Sequence, residues 1–218
     1  MSNVMITDIH SHIPRTDAVL SIDLSDKSDP SQIPSEARLF TCGLHPWNAD
    51  RFTPSLLERL RRMLTRPDCL GLGEAGLDAL RGPSLDRQMP VFESQARLAE
   101  ELQLPMIIHC VRAHEPLIAL YRRLRPRRPW IIHGFRGKPA VACRILDAGM
   151  SISLGPRFNP ETARLIPLDR LFIETDAMTT DSPSIASVAQ TIAEARQSTP
   201  EAILLHSAQS IQSLRHTR

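Results

Sequence analysis

The chain has 218 residues and a net charge of +2, and 42% of its residues are hydrophobic. This suits one domain covering 1–218 with a substantial core, and it is too weakly basic to announce a nucleic-acid groove by charge alone. Cys42, Cys69, Cys110 and Cys143 are far apart with no CxxC pair, which argues for reduced core thiols against a disulfide or zinc framework.

Short apolar runs with strand character fall near 4–8, 18–24, 38–43, 69–73, 105–109, 130–133, 150–154 and 171–175. Such continuous runs suit strands buried on both faces. From residue 38 onward, helical patterns separate them. Thr53-Pro54 reads as an N-cap followed by proline at the first helical position, and Leu56, Leu57, Leu60, Met63 and Leu64 make one apolar stripe. Phe92, Leu98, Ala99 and Leu102 mark the next helix, and Leu117, Ile118 and Tyr121 the one after. Val141, Ile145 and Leu146 mark a fourth, ended by Gly149. Ser182-Pro183 and Thr199-Pro200 open the last two by the same N-cap logic. Alternating strands and helices predict an α/β fold with a parallel sheet, and this many units predict a TIM (β/α)8-type barrel.

The N-terminal third looks trimmed. A full barrel usually takes about 250 residues, with about 200 as the lower bound. Only a short loop fits between His12 and Ala18, whereas a parallel crossover usually needs a dozen or more residues. Residues 25–36 are polar with two prolines and read as loop. The first two outer helices are therefore expected to be missing. The N-terminus lacks a basic segment followed by a long apolar core, and no run is long enough for a membrane span, so a soluble cytoplasmic protein is expected.

Candidate metal ligands end five of the apolar runs: Asp8-Ile-His-Ser-His12, then Glu74, His109, His133 and Asp176. Residues at the C-terminal ends of several strands converge when the strands are parallel and closed into a barrel. Four His (His10, His12, His109, His133) and two carboxylates placed this way suit two divalent cations. With no thiolate in the set, Zn, Mn, Fe, Ni or Mg fits. Any one of these residues alone would read as a core or surface residue, but together they need six coincidences at strand ends.

The chain resembles the TatD family of metal-dependent hydrolases, within the amidohydrolase superfamily. The matching stretches are Asp8-Ile-His-Ser-His12, Gly43-Leu-His-Pro46, Gly71-Leu-Gly-Glu-Ala-Gly-Leu-Asp78, Leu104-Pro-Met-Ile-Ile-His109, Ile132-His-Gly-Phe-Arg-Gly137 and Ile173-Glu-Thr-Asp-Ala177. The resemblance implies a TIM barrel and DNase-type phosphodiester hydrolysis by a hydroxide held between two divalent cations, with DNA, single-stranded or at ends, as substrate. It implies that His10 and His12 bind one metal, Glu74 bridges two, His109 and His133 hold the second, and Asp176 ligates or takes a proton from water. Neither Lys27 nor Lys138 ends an apolar run, so a carbamylated lysine bridge is not expected and Glu74 is the candidate. This sequence departs from the family pattern at Trp47, where many relatives carry another His, and in the last helix, which lacks the usual Asn.

Outside the ligand set, His45 sits in a strand-end loop and is a candidate substrate contact, although an ordinary loop histidine is nearly as good a reading. Arg112, Arg136, Lys138 and Arg157 also follow strand ends on the metal side and are candidate phosphate contacts. The run Arg122-Arg-Leu-Arg-Pro-Arg-Arg128 leads into a strand from its other end, so a solvated face far from the metals is expected. His114 and His206 read as structural helix residues and His216 as tail. Two rival functions remain: an amidohydrolase-type esterase, amidase or deacylase using the same metals, and a silent metal-binding interaction protein, against which the complete ligand set argues.

Overall fold

A computed structural model describes residues 5–25 and 33–215. One parallel sheet runs in strand order β1 to β8: β1 (Asp8–Ser11), β2 (Ala18–Asp23), β3 (Leu39–Gly43), β4 (Cys69–Asp78), β5 (Met106–Val111), β6 (Trp130–Ile132), β7 (Ser151–Leu154) and β8 (Leu171–Ile173). The helices are α1 (Pro54–Leu64), α2 (Leu85–Glu101), α3 (His114–Leu124), α4 (Pro139–Ala148), α5 (Pro160–Leu165), α6 (Ile185–Arg196) and α7 (Pro200–Arg215). The trimmed TIM-type barrel expected from the pattern is the fold. Among the described residues no helix follows β1 or β2, and no helix is long and apolar enough to cross a membrane.

β1 and β2 are parallel, with Asp8 beside Ala18, although only residues 12–17 connect them. A four-residue strand makes this feasible. It is only about 13 Å long at the usual rise per residue, so six extended residues can return along its length without a helix.

The two faces of the strands sort by the period of two, except in β4, where register irregularities on both sides put Leu70 and Leu72 on opposite faces. Ile9, Val19, Leu39, Leu70, Ile107, Ile131 and Phe172 meet inside the barrel, where Ile211 and Leu214 of α7 join them. Phe40, Leu72, Leu77, Ile108, Ile132, Ile152 and Ile173 face outward and pack beneath the helices. Residues two positions beyond the inner layer therefore fall at the mouth: His109 after Ile107, His133 after Ile131, and Glu174 after Phe172.

Several sequence expectations shift. Glu74 does not end its strand, because β4 continues to Asp78 with Glu74, Gly76 and Asp78 alternating with the outward Ala75 and Leu77. Gly76 is required there, since a Cβ would stand 1.9 Å from the His109 carbonyl oxygen. His10 and His109 lie inside β1 and β5, not beyond them, and Asp176 lies three residues past β8. The cap of α6 is Ser184, which accepts from the Ser187 N–H, and not Ser182. Thr53, Thr199 and Gly149 cap as expected. Of the four free cysteines, Cys143 is exposed. Lys27 and His216 lie outside the described residues.

The seam between β8 and β1 is closed just above the strands. The Asp176 N–H donates to the His10 carbonyl at 3.1 Å, and the His12 N–H donates to the Ala177 carbonyl at 3.0 Å. Asp8, fully buried, accepts from the Thr175 hydroxyl at 2.6 Å, the Thr175 N–H at 3.1 Å and the His10 N–H at 3.1 Å. Replacing Thr175 with valine leaves that buried carboxyl short of a donor, at a cost of about 1–3 kcal/mol. Thermal unfolding of Thr175→Val should show a melting point lower by roughly 2–4 °C for each kcal/mol. An unchanged melting point would mean that the backbone bonds alone hold the seam.

Candidate metal centre

Glu74 stands nearly buried at the barrel mouth with each carboxylate oxygen facing a different group of imidazoles. Its Oε1 lies 2.6 Å from His109 Nδ1, 2.8 Å from His133 Nε2 and 3.1 Å from His45 Nε2. Its Oε2 lies 3.4 Å from His10 Nε2 and 3.6 Å from His12 Nε2, and Asp176 Oδ1 is 3.8 and 3.5 Å from the same two nitrogens. Three sets of ligand atoms each gather within 4.8 Å: His10–His133–Asp176, His10–His12–Glu74 and His45–Glu74–His109. His10 and His12 turn their Nε2 atoms toward one another at 3.3 Å. Lone pairs converging in this way suit a cation between them, so the donor set fits divalent metal.

All six residues expected as ligands are brought together. His45, expected only as a substrate contact, also lies against Glu74, within reach of the same cation position as His109.

Sequence reasoning missed two carboxylates behind the imidazoles. Asp78 Oδ2 accepts from Trp47 Nε1 at 2.7 Å and lies 3.1 Å from His109 Nε2, while the Leu80 and Arg81 N–H groups bind its other oxygen at 2.8 and 3.1 Å. Glu174, fully buried, has Oε1 3.2 Å from His133 Nδ1. Each fixes which nitrogen its histidine turns to the centre, the usual task of a carboxylate behind a ligand. The signal was available: Asp78 stands four residues, two strand periods, beyond Glu74, and Glu174 two beyond the inner Phe172.

The electrostatics follow from crowding charges out of water. Burial pushes the Glu74 carboxyl up, but the His133 charge and contacts from His10, His109 and His133 outweigh it and hold Glu74 well below the usual carboxylate range. Burial pushes His133 down, yet Glu74 and Glu174 on its two sides raise it well above an ordinary imidazole. His12 is raised despite burial by Asp176 and Glu74, whereas His10 is lowered by burial and by His133. Asp176 is lowered because His12 and the other imidazoles outweigh its desolvation. The centre thus keeps Glu74 and Asp176 anionic.

Arg136 and Arg157 line a cavity of about 340 Å³ with Glu174, Thr175, Asp176 and Met178. Arg112 and Lys138 are exposed at the same end but outside that lining. Three arginines of the far run are engaged structurally: Arg123 pairs with Glu93, Arg127 with Glu100, and buried Arg128 donates to the Leu214 carbonyl. His114 begins α3, and His206 lies in α7 beside the Ser210 hydroxyl.

A parallel barrel with imidazoles and carboxylates gathered at the C-terminal end of its strands is the arrangement in which TIM-barrel proteins place their active sites. The family model for TatD related DNase matches residues 28–215, and the chain belongs to that family. It is 34% identical over 148 residues to the 3'-5' ssDNA/RNA exonuclease TatD of Pantoea ananatis, covering 63% of this chain and 56% of that protein. The Erwinia amylovora protein of the same name is 35% identical over 147 residues, covering 63% and 57%. The chain thus spans a little over half the length of these curated relatives. Among solved structures, the TatD homologue YJJV from Escherichia coli K12 superposes with a TM-score of 0.76 at 24% identity, over 94% of this chain and 88% of that one. A TatD family hydrolase from Entamoeba histolytica gives 0.79 at 13% identity, over 98% and 99%. These two share the fold.

Asp78→Asn should weaken cation binding about 10- to 100-fold by freeing the His109 ring, as read by calorimetric titration with Mn. Unaltered affinity would show that Asp78 does not orient a ligand.

Proposed function

We propose that this protein is a phosphodiesterase dependent on two divalent cations, acting on single-stranded nucleic acid and foremost on DNA ends. The observation that carries the reading is the division of the Glu74 carboxylate between two groups of imidazoles. It is supported by the family and by the Pantoea and Erwinia relatives, which are named as 3'-5' exonucleases of single-stranded DNA and RNA. His10 and His12, with Asp176, would hold one cation; His109 and His133, with His45 beside them, would hold the other; Glu74 would join the two. Bound divalent cations supply Lewis acidity toward phosphoryl oxygens and make water nucleophilic at neutral pH.

The chain's own groups supply the rest. Asp176, kept ionised by His12 and about one-third exposed to the cavity, is the group to take a proton from the attacking water. Arg136 and Arg157 face the same cavity, and neither has a carboxylate within ion-pair distance among the described residues. Guanidinium forks free of a partner suit a phosphate diester and gain little from a neutral amide. That difference favours phosphorus over carbon as the reacting centre.

Glu74→Gln should lose cation loading and reduce hydrolysis of single-stranded DNA by at least about a thousandfold, given that such a centre supplies several kcal/mol to the transition state. Chelation should stop the wild-type reaction, and Mg or Mn should restore it. A cation-loaded preparation that cleaves a neutral ester or amide but leaves DNA intact would overturn the assignment.

The second expectation separates the two basic regions. Replacing Arg136 and Arg157 together with alanine should raise the KM for DNA and flatten its salt dependence, because each lost phosphate contact lowers the salt slope by roughly one. Replacing Arg122 and Arg123 should change neither, since they lie at the other end of the barrel. The reverse pattern in a salt titration of KM would place the substrate elsewhere.

A further inference from the structure

We propose that Trp47, backed by Arg81, is a stacking platform for a nucleobase of the strand whose phosphate occupies the metal centre. The inference rests on the nucleic-acid reading above and adds a subsite to it. Trp47 is 43% exposed, whereas the other tryptophan of the chain, Trp130, is buried at 2%. It follows Pro46 in a short 3-10 helix (Pro46–Arg51) between β3 and α1. Its only polar side-chain atom is already satisfied, because Nε1 donates to Asp78 Oδ2 at 2.7 Å. The side chain has no other polar atom to offer, so any contact that a ligand makes with it is through the apolar ring.

The ring lies beside the centre. Its centroid is 4.6 Å from that of His45, at 80° between planes, and 6.0 Å from that of His109, at 77°. Both histidines touch Glu74 Oε1. One ring thus separates Trp47 from the position where the phosphate would react.

The platform is also held still. The Arg81 guanidinium stands over the indole at 5.1 Å, and no carboxylate pairs with it among the described residues, so its charge stays available to a neighbouring phosphate. Gly82, at φ +78°, lets the loop between β4 and α2 press on the 3-10 helix, since a Cβ there would lie 2.7 Å from Trp47 Cα. Loop, indole and Asp78 form one packed unit, and a ligand meets a surface whose ordering cost has been met in folding. A π-face binds any base, so the subsite favours bases over their absence without choosing among them.

The test compares a single-stranded oligothymidylate with an abasic oligomer of the same length and phosphate number. With cation-loaded wild type, kcat/KM should favour the base-bearing oligomer by about 5- to 160-fold, the range of one base–aromatic stack. Trp47→Phe should keep most of that preference, while losing rate on both oligomers alike through the missing bond to Asp78. Trp47→Ala should bring the preference close to one. If Trp47→Ala proves inactive, the wild-type fluorescence decides, because Trp47 is the exposed indole: oligothymidylate should quench it saturably and the abasic oligomer should not. Equal hydrolysis of both oligomers by wild type, or an undiminished preference in Trp47→Ala, would overturn the platform and leave the nuclease reading intact. Failure of cation-loaded wild type to cleave either oligomer would overturn the nuclease reading itself.

Discussion

A carboxylate taken out of water must find positive charge or hydrogen-bond donors in every direction from which water was removed. Glu74 meets this demand with five imidazoles delivered by β1, β5 and the segments beyond β1, β3 and β6. The requirement falls on the whole barrel. Short parallel strands must end at one level, the inner face must change from apolar to ligand within one pleat, and β4 and β5 must approach closely enough to need Gly76. His133 lies between Glu74 and Glu174, and these two neighbours raise it well above an ordinary imidazole despite its burial.

This arrangement ties the site to the closure of the fold. The seam bonds run through the candidate site and the residues beside it: Asp176 N–H to the His10 carbonyl, and the Thr175 hydroxyl to Asp8. His10 and Asp176 cannot take up their positions unless β1 meets β8. Cations bound to the closed barrel and not to the open chain would therefore add to its stability. At the opposite end, Ile211 and Leu214 of α7 fill the barrel bottom, and Arg128 holds the carbonyl of Leu214. The apolar floor and the candidate site thus lie at opposite ends of the barrel.

The barrel, and the gathering of His10, His12, Glu74, His109, His133 and Asp176 at its mouth, were largely legible in the sequence, because continuous apolar runs ended by His, Glu or Asp have few other physical readings. What escaped has identifiable causes. The end of β4 was hidden because Glu74 interrupts the apolar run, while the alternation of Ala75 and Leu77 with Glu74, Gly76 and Asp78 carries the strand onward. Asp78 and Glu174 were passed over because they act through a histidine rather than on the centre, a relation invisible until the strands are in register. The short β1–β2 return went against the usual crossover length, which assumes strands longer than four residues. Arg123, Arg127 and Arg128 were correctly placed at the far end, but their ion pairs and the bond to α7 could not be read from one dimension.

The central claim is that one carboxylate joins two cation positions. Electron paramagnetic resonance of the protein titrated with Mn tests it directly. The account predicts uptake of two equivalents and the multiline spectrum of a spin-coupled pair, which a single bridging ligand such as Glu74 produces. Saturation at one equivalent, or two equivalents giving only the six-line signal of isolated ions, would contradict it.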